Sequence, residues 1–543
     1  ATHSQGINGR ILGISVTAWG IDSRFTPVTP AERFMFRRAF VGAVVLGLVS
    51  FAATQVMAAT VNGTVESVST DDNTISVKVN GKGDEPKVFT FGPAVIIMID
   101  GKKGTLEDIV AGQTVTVTAN ATNTASKLLL KTPKAPPASR KPVKKPNSSD
   151  GNLADAGHWP QFRGPNRDNI SKETGLLDQW PEDGPKVVWE QKKLGEAFSS
   201  VAIADGKLFT MGNQGNVEML LAMDASTGNP LWATKTGGGA YRNGMGNGPR
   251  GTPTVDADRV YALGANGDLI CVGVDNGDVV WQKNILKDYG GNNITWGISE
   301  SVLIDGKQLI CCPGGKDATI VSLDKMTGRG IWRATINGTP QASYASPIIV
   351  EYGGERMIVN YTHTAVVAVK AQNGNFCWGY PSSANGTANC SSPLFEDGKV
   401  FTASGYGKGC AMFQLGPKGT ASVAYDDNKL MKNHHGGMVV LDGHVYGFDE
   451  GVLRCLNLKT GESVRQDRSV GKGSLTFADG HLYLRSENGP MALCTATTKG
   501  YEEKGRFEPK NRSDKPAWAH PVVCGGRLYV RDMDSLVVYD IKK

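Results

Sequence analysis

One short pattern limits what this chain can fold into: a glycine followed four residues later by an aromatic ring. It stands at Gly228 and Trp232, Gly277 and Trp281, Gly328 and Trp332, and Gly374 and Trp378. The same slots, now without tryptophan, recur at Gly419 and Val423, Gly461 and Arg465, and Gly500 and Lys504. Upstream of each lies a second marker, a tight polar or glycine turn entering an apolar strand, as at Asp205-Gly206, Asp256-Ala257, Asp305-Gly306 and Gly353-Gly354. Four more follow at Asp397-Gly398, Asp442-Gly443, Asp479-Gly480 and Gly525-Gly526, which makes eight units. A period of roughly 46 residues with short strands and no helical periodicity is the length of one propeller blade.

A ring of blades has to close. The eighth unit starts at Gly525 and the chain stops at Lys543, which leaves no room for a fourth strand. Val187-Val188-Trp189, after Gly184, is a Gly-to-Trp strand with no blade of its own before it. Pairing it with the C-terminal strands would remove the last free edge. The tryptophans Trp189, Trp232, Trp281, Trp332 and Trp378 are expected to dock between adjacent blades, because a large flat ring buries about 150 to 250 Å² there. The fold expected is all-β: an eight-bladed propeller over 158–543, closed by its own N-terminal strand.

Ahead of it the patterns differ. Residues 1–34 carry no periodic signal and are left unassigned. Residues 35–58 read as a secretory signal peptide: Arg37-Arg38, an apolar run from Ala39 to Ala53 too short to span a bilayer, then Val56-Met57-Ala58 as the cleavage site. The mature protein is then exported, periplasmic or otherwise in the cell envelope, with no transmembrane segment, and no cysteine follows the cleavage site to carry a lipid. Residues 59–131 alternate with period two in about five short strands, as in Thr74-Ile75-Ser76-Val77-Lys78-Val79, and suit a small OB-like barrel. One helical turn is expected at Leu106 to Val110. Residues 132–157 hold five prolines between Pro133 and Pro146 and read as a semi-rigid tether.

Composition excludes one class of partner. The formal charge is +6, yet Lys131, Lys134, Arg140, Lys141, Lys144 and Lys145 crowd into that tether. The folded parts are near neutral, which argues against nucleic acid. A monomer is expected.

The segment Ala222-Met223-Asp224-Ala225-Ser226-Thr227-Gly228-Asn229-Pro230-Leu231-Trp232 resembles the tryptophan-docking repeat of quinoprotein (PQQ-like) propellers. His158 to Arg167, Arg250 to Val255 and Asn433-His434-His435-Gly436-Gly437 are similar to bacterial exported PQQ-like repeat proteins. That resemblance implies one of two functions. One branch holds non-catalytic propellers such as the outer-membrane assembly lipoprotein BamB. The other holds alcohol dehydrogenases that use pyrroloquinoline quinone with calcium.

Segments leading into the innermost strands should line the central funnel, and in them acid is scarce. Arg250, Trp296, Glu300, His435, Trp518 and His520 are the candidate lining; no catalytic residue and no metal site is assigned. Of the pair His434-His435, alternation along a strand would turn one residue toward the axis. A quinone dehydrogenase would want several oxygen ligands for calcium, with more than one carboxylate, and only Glu300 stands out. Adjacent Cys311-Cys312 resembles the vicinal disulfide beside the cofactor in some quinoprotein dehydrogenases; the other reading is two strand residues. The expectation is a binding scaffold for an envelope protein or glycan, with no cofactor; the alternative is the quinone- and calcium-dependent dehydrogenase.

Overall fold

Glycine-rich turns and short apolar strands give an all-β chain. The computed structural model describes residues 59–69, 73–80, 86–109, 112–131, 157–338 and 341–543. The unassigned extension, the signal peptide and the tether up to residue 156 lie outside the described residues. Two units separate, one on each side of residue 136. Among the described residues no helix is long and apolar enough to cross a membrane.

In the first unit, β1 (Ala59–Ser69) pairs with β2 (Thr74–Val79) and with β5 (Thr114–Ala119). β2 pairs with β3 (Lys87–Ile99), and β5 with β6 (Thr124–Lys131). A parallel ladder between β3 and β6 closes five strands into a ring, while β4 (Lys102–Lys103) turns back on β3. Alternation sends Val65, Ile75, Val77, Phe89, Val115, Val117 and Leu128 inward, where they form one core. The expected helical turn is a single 3-10 turn, Leu106–Asp108, capped by Thr105 and Asp108.

The second unit holds eight four-stranded antiparallel sheets among the described residues. Seven are continuous in sequence; the eighth takes three strands from the C-terminus and its outer strand from Val187–Gln191. Val538 faces Trp189 and Leu536 faces Gln191, so the early strand closes the ring as expected. Both middle strands of each blade are packed on both faces, hence their unbroken apolar runs. In the first blade Leu221 belongs to the cluster shared with the eighth blade, while Leu220 and Ala222 belong to the cluster shared with the second. Six of the eight polar turns have positive φ at both central residues, as at Asp205 (49°) and Gly206 (74°), which is the geometry a two-residue hairpin favours; the turns at Ala257 and Gly306 have it at that residue alone.

Every outer strand carries a bulge at the same place, one residue before the docking position. Trp189, Trp232 and Trp281 each donate their indole N–H to a carbonyl of the next blade, at Ala225 (3.3 Å), Val274 (3.0 Å) and Lys325 (3.0 Å). Trp332 does so to Ala371 (3.2 Å). The ring lies on the next blade's glycine: a Cβ on Gly228 would stand 2.6 Å from Trp189, so only glycine fits. Trp378 is buried, but its N–H finds no acceptor among the described residues.

Two of the three weaker slots differ from the sequence expectation. The ladder places Tyr425, not Val423, at the fifth position, with its hydroxyl donating to Leu458 O at 2.9 Å. Arg465 holds the sixth and donates to Thr497 O at 2.7 Å. At the seventh stands Gly505, not Lys504, and Trp180 from the entry segment packs onto it beside Phe507. Longer connections after Gly419 and Gly500 shift the slot, so counting four residues fails at those two and holds after Gly461.

Candidate functional site

Residues 158–170 run beneath the ring axis. Trp159 pairs with Ile203 of the first blade, and Ile170 with Phe477 of the seventh. Between them Arg163 donates to Met438 O (2.8 Å) and Arg167 to Ser301 O (2.7 Å) and Val302 O (3.1 Å). Both guanidiniums are almost wholly buried, and burial pulls Arg167 down to about 9. This segment stitches the third, sixth and seventh blades together and lifts Phe162 against His520, with ring centres 5.1 Å apart.

Above Phe162 the segments entering the innermost strands enclose a cavity of about 160 Å³. A belt of hydroxyls fixes them to one another: Ser200 N donates to Thr252 Oγ1, Thr252 N to Ser301 Oγ, Ser301 N to Ser346 Oγ and Ser346 N to Ser392 Oγ, at 2.9 to 3.2 Å. Ser391 Oγ continues to Asn433 Oδ1 (2.7 Å), and Ser200 Oγ reaches back to His520 O (2.8 Å). Each step joins one blade to a neighbour, so the cavity wall is tied together by four main-chain donors and two serine hydroxyls.

Five of the six candidate residues line this cavity: Arg250, Trp296, His435, Trp518 and His520. Glu300 does not. It is 2% exposed and lies within the wall, taking Cys312 N on Oε1 at 2.6 Å. Burial pushes its carboxyl up to about 7. Arg250 lies between Phe198 and Tyr241 at 5.1 and 4.8 Å and donates to the carbonyls of Gly246 and Gly248.

His434 and His435 both line the cavity, against the expectation of one. They sit in a loop before the innermost strand, where strand alternation does not act. Their rings meet with His434 Nδ1 2.9 Å from His435 Nε2. Burial drives His434 down to about 3 and His520 to about 4, and it lowers His435 as well. All three are neutral imidazoles near pH 7.

Glu487, which the sequence did not single out, organises this group from behind. Its Oε1 accepts from Trp518 Nε1 at 2.8 Å and stands 3.3 Å from His435 Nε2; its Oε2 pairs with Lys472 at 3.1 Å. Burial opposes its charge, but these donors outweigh it and hold the carboxyl far below its ordinary value. The remaining aromatic wall is Trp296 against Tyr344, at 5.7 Å. In an eightfold ring Tyr344, before the fourth blade, is opposite Trp518, before the eighth.

Cys311 and Cys312 are separate thiols, so the vicinal disulfide is not present. Successive residues at this strand end point to opposite faces: Cys311 packs toward the second blade, and Cys312 toward the fourth, where Asn360 Nδ2 donates to its sulfur at 3.1 Å. Neither lines the cavity.

Comparison with known proteins places the fold. The family model described as outer membrane protein assembly factor BamB matches residues 170–312 and 295–467. Outer membrane protein assembly factor BamB of Shewanella oneidensis is 25% identical over 223 residues, 40% of this chain and 51% of that protein. The chain thus spans about half the length of that relative. Among solved structures, quinohemoprotein alcohol dehydrogenase from Comamonas testosteroni is 13% identical, with a TM-score of 0.51 over 72% of this chain and 81% of that one. BamB from Moraxella catarrhalis is 15% identical, with a TM-score of 0.47 over 66% of this chain and 98% of that one. With the family model covering more than half of its residues and eight docking-repeat blades in its fold, this chain belongs to the BamB-type family of PQQ-like β-propeller proteins.

Proposed function

We propose that this protein is a non-catalytic, exported binding scaffold of the cell envelope, which recruits a protein or glycan partner with its axial cavity as one contact. The small N-terminal barrel, joined through the tether, adds a second contact. The observation that carries this reading is the chemistry of the cavity surface: among the described residues no carboxylate lines it. Glu487 is engaged by three donors from behind, and Glu300 is enclosed within the wall.

Such a wall does not fit pyrroloquinoline quinone with calcium. Calcium takes six to eight oxygens, carboxylates prominent among them. A tricyclic tricarboxylate also needs several cationic donors, and among the described residues the lining holds one cationic side chain, Arg250, with two of its five N–H groups given to carbonyls. At about 160 Å³ the cavity is below the roughly 300 to 1,000 Å³ of pockets for drug-sized ligands. Membership of a family described by an outer membrane protein assembly factor supports an envelope role with a protein partner. The likeness to a quinohemoprotein alcohol dehydrogenase is one of fold.

Calorimetry with pyrroloquinoline quinone and calcium, beside affinity capture from an envelope fraction, tests the proposal. No heat with the quinone, together with a partner lost on Trp518→Ala, is the expected result. Micromolar quinone binding with dye reduction by an alcohol would replace the scaffold with the dehydrogenase.

A further inference from the structure

The strong hydrogen-bonding groups that the axial cavity leaves open are donors. Arg250 gives one N–H each to Gly248 O and Gly246 O, and a guanidinium has five. Three remain, Nε–H among them, and Nε is not sealed from solvent. Arg250 makes no ion pair among the described residues. Glu218, the carboxylate whose field reaches it, is 2% exposed and does not line the cavity; burial pushes its carboxyl up to about 7, so it offsets only part of the charge.

A second donor stands at His434. A neutral imidazole carries one N–H, and an ionised carboxylate can only accept. His435 Nε2 faces both Glu487 Oε1 and His434 Nδ1, so the carboxylate fixes the proton of His435 on Nε2. His434 Nδ1 is then an acceptor, and its own proton lies on Nε2. That N–H meets no acceptor among the described residues and is not sealed from solvent. The unmet acceptor of the third imidazole, His520 Nδ1, is closed off within the wall. Arg250 precedes the second blade and His434 the sixth, so the two donors face each other across the ring. Apolar rings rise between them, Phe198 with Trp518 on one side and Trp296 with Tyr344 on the other. Phe162 forms the floor, and the exposed Met245 and Tyr406 mark the mouth.

From this arrangement we infer that the axial cavity captures the C-terminal residue of a partner polypeptide, one whose last side chain is apolar. The inference rests on the scaffold reading above and names the part of the partner that enters. The terminal carboxylate, an acceptor with a single negative charge, meets Arg250 in a charge-assisted bond. The carbonyl of the last peptide bond is a second acceptor for His434 Nε2–H, and the apolar side chain covers the aromatic wall. A chain end suits a cavity with a floor, because the rest of the chain leaves by the mouth. A free small acid supplies only one of the two acceptors. Inorganic phosphate brings a second charge with no second cation in the lining to meet it.

Calorimetry on the whole purified protein tests this, with acetyl-Ala-Ala-Leu and acetyl-Ala-Ala-Phe, each as free acid and as C-terminal amide, beside phenylpropionate and phosphate. At least one free-acid peptide should bind with a Kd of about a millimolar or tighter, its amide about tenfold weaker or worse, phenylpropionate about threefold weaker or worse, and phosphate not at all. Arg250→Gln should abolish the difference between acid and amide. Should Arg250→Gln lose its thermal transition, His434→Phe serves instead: it keeps a ring, removes the donor, and should weaken the free-acid peptide about fivefold while leaving phenylpropionate unchanged. No peptide binding, equal binding of acid and amide, a small acid as tight as the peptide, or a folded variant that behaves as wild type overturns the inference. Quinone binding overturns the scaffold reading itself; a captured envelope protein whose recovery survives deletion of its last residue overturns only the terminal capture.

Discussion

Replacing Glu487 by glutamine tests how the cavity is held. The amide keeps the shape of the side chain and removes the charge. A hydrogen bond to a charged group contributes roughly 1.5 to 3 kcal/mol against 0.5 to 1.5 for a neutral pair. Weakening the bonds from Trp518 and His435 then costs about 2 kcal/mol. The amide oxygen keeps both of those donors, and the new N–H₂ takes the place of Oε2, facing Lys472. Lys472 is about a third exposed and turns to solvent at little cost. The cost, about 2 kcal/mol, corresponds to a fall in Tm of roughly 2 to 3 °C for a propeller of this size. Glu487 is held below its ordinary value in the folded state, so its contribution is complete above about pH 4.5 and fades as pH falls toward its folded pKa. Thermal unfolding of wild type and Glu487→Gln from pH 7.5 to 3.5 should show a constant gap down to pH 5, then a gap narrower by about 1 kcal/mol at pH 3.5. No gap at neutral pH, or one that widens in acid, would refute the assignment of Glu487 as an ionised organiser.

Three further outcomes are expected. Trp189→Ala removes the ring that locks the closing strand onto the first blade and should cost about 3 to 5 kcal/mol in guanidinium unfolding; Gly228→Ala, with its left-handed φ of 75° and no room for a Cβ, should be comparably damaging, and a wild-type midpoint in either would deny the closure. His520 protonates near pH 6.5 when unfolded but only near 4 when folded, so its contribution is complete above pH 6.5 and decreases as pH falls, by about 2 kcal/mol at pH 5; His520→Gln should flatten the wild-type Tm profile between pH 6.5 and 4.5, and an equally steep variant profile denies it. Alkylation under denaturing, non-reducing conditions should label both Cys311 and Cys312, and reductant should leave the Tm unchanged; a mass short by two protons on that peptide contradicts the opposite-face placement.

Much of the architecture was legible because its determinants are local. Eight turns with positive φ, four Gly-to-Trp spacings and a stray strand at Val187 each state their geometry within a few residues, and a ring follows by counting. Where the connection after the glycine changes length, counting failed, and Tyr425 and Gly505 took the places expected of Val423 and Lys504. The candidate lining was legible for the same reason: every inner strand is entered from the axis, so five of six residues were placed by position alone. Glu300 sits in such a segment too, but its side chain turns into the wall.

By itself, then, the sequence determined the eightfold sheet and the segments that face its axis, because turn chemistry and side-chain period act over a few residues. Which atoms face one another there was decided by the tertiary structure alone. Glu487, His435 and Trp518 enter from three successive blades, separated in sequence by whole sheets, and their hydrogen bonds exist only once the ring has closed. His434 and His435 share one face because a loop, not a strand, carries them. The hydroxyl belt likewise joins residues one blade apart, a spacing at which no local rule applies.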